Sequence, residues 1–146
     1  MITQPKTNCS QCPRLYSFRL KNAKNYIDWH NAPVSSFGDT DGQLLIVGLA
    51  PGLRGANKTG RPFTGDWAGD LLYATLAKFG FTSGRYGATA EDGLKLLNCR
   101  ITNVVRCVPP ENKPTGEEIK TCNKFLLREL KGMRNLKMIL ALGGIA

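Results

Sequence analysis

Between residues 48 and 66 the chain reads GLAPGLRGANKTGRPFTGD. Gly52 to Thr59 lies one residue from the phosphate-loop pattern G-x-x-x-x-G-K-[ST], with Asn57 where the second glycine belongs. A phosphate loop leads straight into a helix, whose first amides and dipole meet the phosphates. Here Thr59 is followed by Gly60, Arg61 and Pro62, and helical periodicity starts only near Asp66. Asn57 also puts a side chain where that loop needs bare backbone, so the stretch is not built for a nucleoside triphosphate. What it offers is a backbone turn at Ala50-Pro51-Gly52, cations at Arg54, Lys58 and Arg61 with no acid among them, a ring at Phe63 and a carboxylate at Asp66. Cations hold phosphates, an aromatic stacks on a base, and a carboxylate orients or activates water. Together these are parts for handling an extruded nucleotide. Each has a structural alternative: Phe63 as core, Asp66 as a helix N-cap, the cations as solvated surface.

The cysteines are the second chemical signal. Cys9 and Cys12 form C-x2-C, which puts two thiolates on one ion or cluster; Cys107 and Cys122 form a wider pair, and Cys99 is left over. The N-terminus runs from Met1 to Cys9 without an apolar leader, and no apolar run approaches the ~20 residues of a membrane span, which leads us to expect a cytoplasmic protein with no membrane partner. Reduced thiols there favour metal binding over disulfides. Twenty basic against eleven acidic residues give a formal charge of +9, which points to a polyanionic partner.

These groups must be positioned by regular elements. Leu44 to Val47 reads as a strand buried on both faces, and the loop above follows it directly. Asp66 to Phe79 reads as a helix with Leu72, Leu76 and Phe79 on one face and Gly80 at its end. A glycine-rich connection from Gly80 to Gly93 leads to a second buried strand, Ile101 to Val105. Thr115-Gly-Glu-Glu118 is a capping box that opens a helix with Ile119, Cys122, Leu126 and Leu130 on one face, and Met138 to Leu142 is a third strand. Alternating strands and helices predict an α/β fold with a parallel sheet, and ligands at the C-terminal ends of its strands. The segment before Leu44 is assigned no element beyond a turn-rich stretch at Gly38 to Gly42.

The residues also carry a resemblance. C-x2-C-P-R at Cys9 to Arg14, GLAPG at Gly48 to Gly52, GANKTGRPFTGD at Gly55 to Asp66, and ITNVVRCVPPENKPT at Ile101 to Thr115, with Cys122 after it, resemble the iron-sulfur uracil-DNA glycosylases, and most closely their fifth class with its GLAP first motif. The resemblance implies a three-layer α/β sandwich with a central parallel sheet, acting as a monomer on DNA that contains deaminated bases. It implies a 4Fe-4S cluster, largely structural, held by Cys9, Cys12, Cys107 and Cys122, with residues 1–42 as the cluster-binding segment and Cys99 as a non-ligand. Phe63 matches the aromatic that stacks on the flipped base, and Asn103 the polar residue that contacts the base or the reacting centre. Leu49 stands where related classes carry an acidic or amide residue, which makes Asp66 the substitute catalytic carboxylate. The amides of Gly48, Leu49 and Ala50 are then expected around the base, and Arg54, Lys58 and Arg61 on phosphates.

Family members usually continue after the third strand with a histidine motif, a fourth strand and a loop that wedges into DNA, whereas this chain stops at Leu142-Gly-Gly-Ile-Ala146. The expectation is one domain over residues 1–146, incomplete at its C-terminus and lacking the sheet's last strand, with little turnover of its own. His30, the only histidine, does not match that motif and reads as surface. Two rival readings stand beside the glycosylase: a non-catalytic iron-sulfur DNA-binding fragment, and an unrelated zinc-bearing α/β enzyme.

Overall fold

A computed structural model describes residues 1–146. In chain order the elements are α1 (Pro13–Asn25), β1 (Phe37–Gly38), β2 (Leu44–Gly48), α2 (Ala56–Thr59), α3 (Trp67–Lys78), β3 (Thr82–Ser83), β4 (Lys95–Leu96), β5 (Cys99–Asn103), α4 (Gly116–Gly132) and β6 (Met138–Ala141). The main sheet has the order β1-β5-β2-β6, with β2 parallel to both β5 and β6. β2 is the middle of that parallel trio, which is why its sequence is an unbroken apolar run.

Alternation along β2 builds two cores. Leu45 and Val47 join Leu15, Val104, Val105, Cys122, Phe125 and Met133 on the side of α1 and α4. Ile46 joins Tyr73, Leu76, Leu94, Leu96, Cys99 and Ile101 on the side of α3. Helices on both faces of the sheet make the α/β sandwich. β5 follows the same alternation with a difference: Cys99 and Ile101 face the α3 core, while Arg100 and Thr102 serve a buried polar network. Its hub is Glu129, fully buried on α4, which accepts from Arg100 Nε at 2.7 Å, from Gln4 Nε2 at 2.7 Å and from Ser36 Oγ. Burial alone would raise the Glu129 carboxyl, but the bonds from Arg100, Ser36 and Gln4 outweigh it and hold it below its ordinary range.

The capping box at Thr115 and Glu118 forms as the sequence predicts, with both reciprocal bonds in place. Asp66 caps α3, and Gly80, just past the Phe79 C-cap, takes φ +80°. The inward face of α3 is different, however: Gly69, Tyr73 and Leu76 point to the core, and Phe79 is 67% exposed. Lys78 Nζ lies over that ring, 5.8 Å from its centroid. α1 was not anticipated, because its inward residues are Leu15, Arg19 and Asn22, two of them polar, so no apolar stripe marks it. Pro13 at its first turn is the signal that was available. The sheet is also not purely parallel, since β1 pairs antiparallel with β5 at one edge, and the glycine-rich connection contains the β3-β4 hairpin. β6 forms the other edge, with Met138, Ile139 and Leu140 all exposed. No helix is long and apolar enough to cross a membrane.

Candidate functional site

The loop after β2 is a close packing of backbone on backbone. A Cβ on Gly48 would lie 2.5 Å from Phe63 Cζ and 2.6 Å from Asn103 Oδ1, so only a bare strand end lets the ring and the amide meet there. A Cβ on Gly55 would lie 2.6 Å from the Thr64 carbonyl, and Gly65 takes φ +86° against the Arg54 carbonyl, which locks the two arms of the loop together. Phe63 itself takes φ +58°, a left-handed conformation that costs energy for a residue with a side chain. Its neighbours hold it there: Tyr73 Oη donates to the Pro62 carbonyl at 2.7 Å, and Gly69 leaves no room for a side chain against the Phe63 carbonyl. The strain is spent on aiming one ring across the C-terminal ends of β2 and β5.

Under that ring lies a recess of about 60 Å³ lined by Ala50, Pro51, Gly52, Ala56, Phe63, Thr64, Asp66 and Asn103. It adjoins an outer cleft of about 610 Å³ that shares Ala50, Pro51, Gly52 and Asp66 and adds Leu49, Leu53, Arg54 and Asn112. Asn103 is 4% exposed; its carbonyl accepts from Arg106 Nε at 2.9 Å, while its amide faces the recess. Asp66 Oδ1 accepts from the Gly69 N–H at 2.7 Å. The helix thus fixes the carboxylate by one oxygen, on a residue that lines both the recess and the cleft. Such a pocket offers a flat apolar surface, an amide at hydrogen-bonding depth, backbone amides from the turn and one oriented carboxylate.

The three cations grouped by the sequence go to three places. Arg54 is exposed and lines the outer cleft. Lys58 is exposed but borders a separate groove with Asp28, Trp29 and Glu91. Arg61 is no phosphate contact: it is 3% exposed, and its two terminal nitrogens meet Asp92 at 2.6 and 2.7 Å. Its guanidinium lies 5.0 Å from the ring centroids of both Phe37 and Tyr73. The loop contains no acid, as the sequence shows, but Asp92 arrives from 31 residues away. Arg61 and the N–H groups of Gly87 and Leu94 hold the Asp92 carboxyl well below the usual carboxylate range, against the pull of burial. Asn112, at φ +58° beside Glu111 at φ +56°, is not among the residues singled out from the sequence; the turn-forming run Pro109-Pro110-Glu111-Asn112 is the local hint.

Cys9, Cys12, Cys107 and Cys122 gather where the N-terminal loop, the start of α1, the loop after β5 and α4 meet. Charge on neighbouring thiols helps raise Cys12, Cys107 and Cys122, although no three cysteines converge at ligand distance on one point. Burial pushes Cys107 up to about 12 and raises Cys12 and Cys122, so the resting thiols are protonated and metal loading must release protons. The surroundings suit an anionic group: Arg106 lowers Cys122 through its backbone and its charge, Arg19 lowers Cys107, and Lys124 lowers Cys12 and Cys122. Arg19 also holds the Cys9 loop through the carbonyls of Thr7 and Cys9, and Arg14 bonds Glu118 through Nε at 2.9 Å. Cys99 lies apart in the α3 core, its thiol raised to about 11 by burial.

Known proteins match both regions. The family model of the uracil DNA glycosylase superfamily covers residues 35–146. The chain is similar to the type-5 uracil-DNA glycosylase of Pyrobaculum aerophilum, at 38% identity over 95% of this chain and 63% of that protein. It is similar to the type-5 enzyme of Thermus thermophilus, at 40% identity over 99% of this chain and 68% of that protein. The type-5 enzyme of Mycobacterium tuberculosis matches at 43% identity over 94% of this chain and 54% of that protein. The chain therefore spans about half to two-thirds of the length of these curated relatives. An unrelated zinc-bearing α/β enzyme is no longer a reading of this sequence. A strand-end recess under an aimed aromatic ring and the extent of these matches lead to one conclusion: the chain belongs to the uracil DNA glycosylase superfamily.

Proposed function

We propose that the protein hydrolyses the N-glycosidic bond of uracil, and of other deaminated bases, in DNA, and so starts base excision repair. The carrying observation is the recess that brings Phe63, Asn103 and Asp66 together at the ends of β2 and β5. As the bond breaks, the sugar approaches an oxocarbenium ion and the base leaves as an anion. Phe63 stacks on the extruded base, while the Asn103 amide and the amides of Gly48, Leu49 and Ala50 bind the developing negative charge. Asp66, held through Oδ1 by the helix, turns Oδ2 to the sugar side, where it steadies positive charge and orients water. Arg54 holds a phosphate at the cleft mouth and Lys58 one beyond it. The partner is DNA, met by a monomer in the cytoplasm.

Cys9, Cys12, Cys107 and Cys122 would hold a 4Fe-4S cluster, which supplies four covalent ties between the N-terminal segment, the loop after β5 and α4. The support is a donor set of four mutually interacting thiols with Arg19, Arg106 and Lys124 around it. A broad absorbance near ~400 nm in the purified protein tests it.

The activity is tested on duplexes carrying a single uracil, hypoxanthine or xanthine, with alkaline cleavage to reveal abasic sites. Time- and enzyme-dependent release of the base is expected, in place of the little turnover expected from the sequence, because Phe63, Asn103 and Asp66 already line one recess. Binding to these duplexes without any abasic product would overturn the catalytic reading in favour of a non-catalytic DNA-binding iron-sulfur protein.

A further inference from the structure

Tyr26 and Trp29 stand outside the recess and take no part in the chemistry above. Their rings lie face to face, with centroids 3.8 Å apart and planes within 5°. The Arg54 guanidinium is 5.7 and 5.6 Å from the two centroids, so it sits at the shared rim of the stack and not over either outer face. Lys58 Nζ is 5.7 Å from the Trp29 ring. Both rings are half-buried, and both cations are exposed.

The stack is built with care. Tyr26 ends α1, and the Trp29 N–H returns to the Tyr26 carbonyl at 3.1 Å. Asn31, at φ +47°, donates Nδ2 to the carbonyls of Tyr26 and Trp29 at 2.7 and 3.3 Å, clamping the turn from inside. Its Oδ1 accepts from Asn57 Nδ2 at 3.0 Å. Two backbone bonds run alongside, His30 N–H to the Lys58 carbonyl and Asn31 N–H to the Asn57 carbonyl, each 3.0 Å. Asn57, fully buried where a phosphate loop would have its second glycine, is thus the fastener between the aromatic turn and the cleft loop.

We propose that the Tyr26-Trp29 stack is a ledge for unpaired nucleotides of the DNA strand next to the cleft, one base lying on an outer ring face and its phosphate on Arg54. The choice of DNA rests on the glycosylase reading; the ledge itself rests on the geometry. Paired rings offer a flat face to any base, and cations at their rim suit a phosphate chain. Charge also sets the direction. The groove beyond Trp29 sets Asp28 and Glu91 against Lys58, whereas the cleft sets Arg54 against Asp66 alone, so the cleft side repels a polyanion less. A strand on the ledge therefore runs past Arg54 toward the recess.

Trp29 can be made the only indole by Trp67→Phe, since the chain has two tryptophans and Trp67 is exposed at the start of α3. Titration of that protein with oligo-dT is expected to quench Trp29 emission to saturation, and a blunt undamaged duplex to quench it weakly. Tyr26→Ala or Trp29→Ala should weaken oligo-dT binding about 5- to 100-fold, and Tyr26→Phe should retain it. Oligo-dT that binds by anisotropy without quenching Trp29, or no binding of oligo-dT at all, would overturn the ledge. So would Ala variants that keep native circular dichroism and bind within twofold of the parent. Uracil release without quenching would remove the ledge and leave the activity standing. Quenching without uracil release from duplex would support the ledge and remove the activity.

Discussion

Asp92→Ala removes the partner of the Arg61 guanidinium, and the structure sets what this costs. Both side chains are 4% exposed, and the Arg61 Nε already has no partner. The N–H groups of Gly87 and Leu94, each 2.9 Å from an Asp92 oxygen, lose their acceptor too. Stranding a buried charge in this way costs about 3–5 kcal/mol. At about 2–4 °C per kcal/mol for a domain of this size, the melting temperature should fall by about 6–20 °C. Circular dichroism melts at pH 7 measure it directly. The double variant Arg61→Met with Asp92→Leu should recover much of the loss, because apolar pairs replace buried ion pairs at little cost. Acid gives an independent check. The folded Asp92 carboxyl is depressed below its unfolded value of about 3.9, so its stabilisation is fully present above that pH. It is lost as pH falls from there toward the folded value, and the acid-induced drop should be smaller in Asp92→Ala. A single variant that melts within about 2 °C of the parent, or a double variant no better than the single, would refute the buried-pair argument.

Phe63→Ala should weaken binding to a uracil-containing duplex by ~1–3 kcal/mol and leave undamaged duplex unchanged; equal losses on both would make the ring mere core. Asp66→Asn keeps a competent helix cap, so stability should hold to within ~0.5 kcal/mol while the single-turnover rate falls ~10-fold or more; an unchanged rate would confine Asp66 to capping. Cys107→Ser or Cys122→Ser should lose the absorbance near ~400 nm and fold poorly, whereas Cys99→Ser keeps its colour; the reverse pattern would break the ligand assignment. Asn57→Ala leaves Asn31 Oδ1 without its donor and should cost ~1–3 kcal/mol in urea unfolding, a value near zero showing that the turn is not fastened there.

The sequence revealed most where one residue type does one physical job. The apolar run of β2, the capping box at Thr115 and the glycine after α3 are local signals, and each stands where it was read. It was silent where a partner comes from far along the chain. Arg61 looks like a free cation until Asp92 is brought to it by the β3-β4 region, and α1 looks like loop because Arg19 and Asn22 occupy its inward face. Phe63 shows the intermediate case. Its type suggested stacking, but its aim depends on a left-handed backbone held by Tyr73 and by the absence of side chains at Gly48 and Gly69, which no spacing rule encodes.

Arg106 links the N-terminal segment to the recess. Its guanidinium is fully buried, donating Nε to the Asn103 carbonyl at 2.9 Å and Nη1 to Gln4 Oε1 at 2.6 Å, with Glu129 Oε1 3.7 Å from Nη2. It lowers the Cys122 thiol from close by, and its carbonyl accepts from the Val34 N–H at 2.7 Å. One residue therefore touches the strand end that carries Asn103, the N-terminal segment and the buried hub on α4, and acts by charge on a thiol. Desolvation lowers the Arg106 pKa and Glu129 opposes that, so the guanidinium stays charged and every bond it makes is charge-assisted. Displacing the N-terminal segment would remove Gln4 and leave a buried cation short of an acceptor, a cost that falls on the loop holding Asn103. Under the proposed ligation, Cys9 and Cys12 would tie down that same segment. A cluster there would act on the recess through Gln4 and Arg106, by keeping the Asn103 carbonyl, and with it the amide, at a fixed depth beneath Phe63.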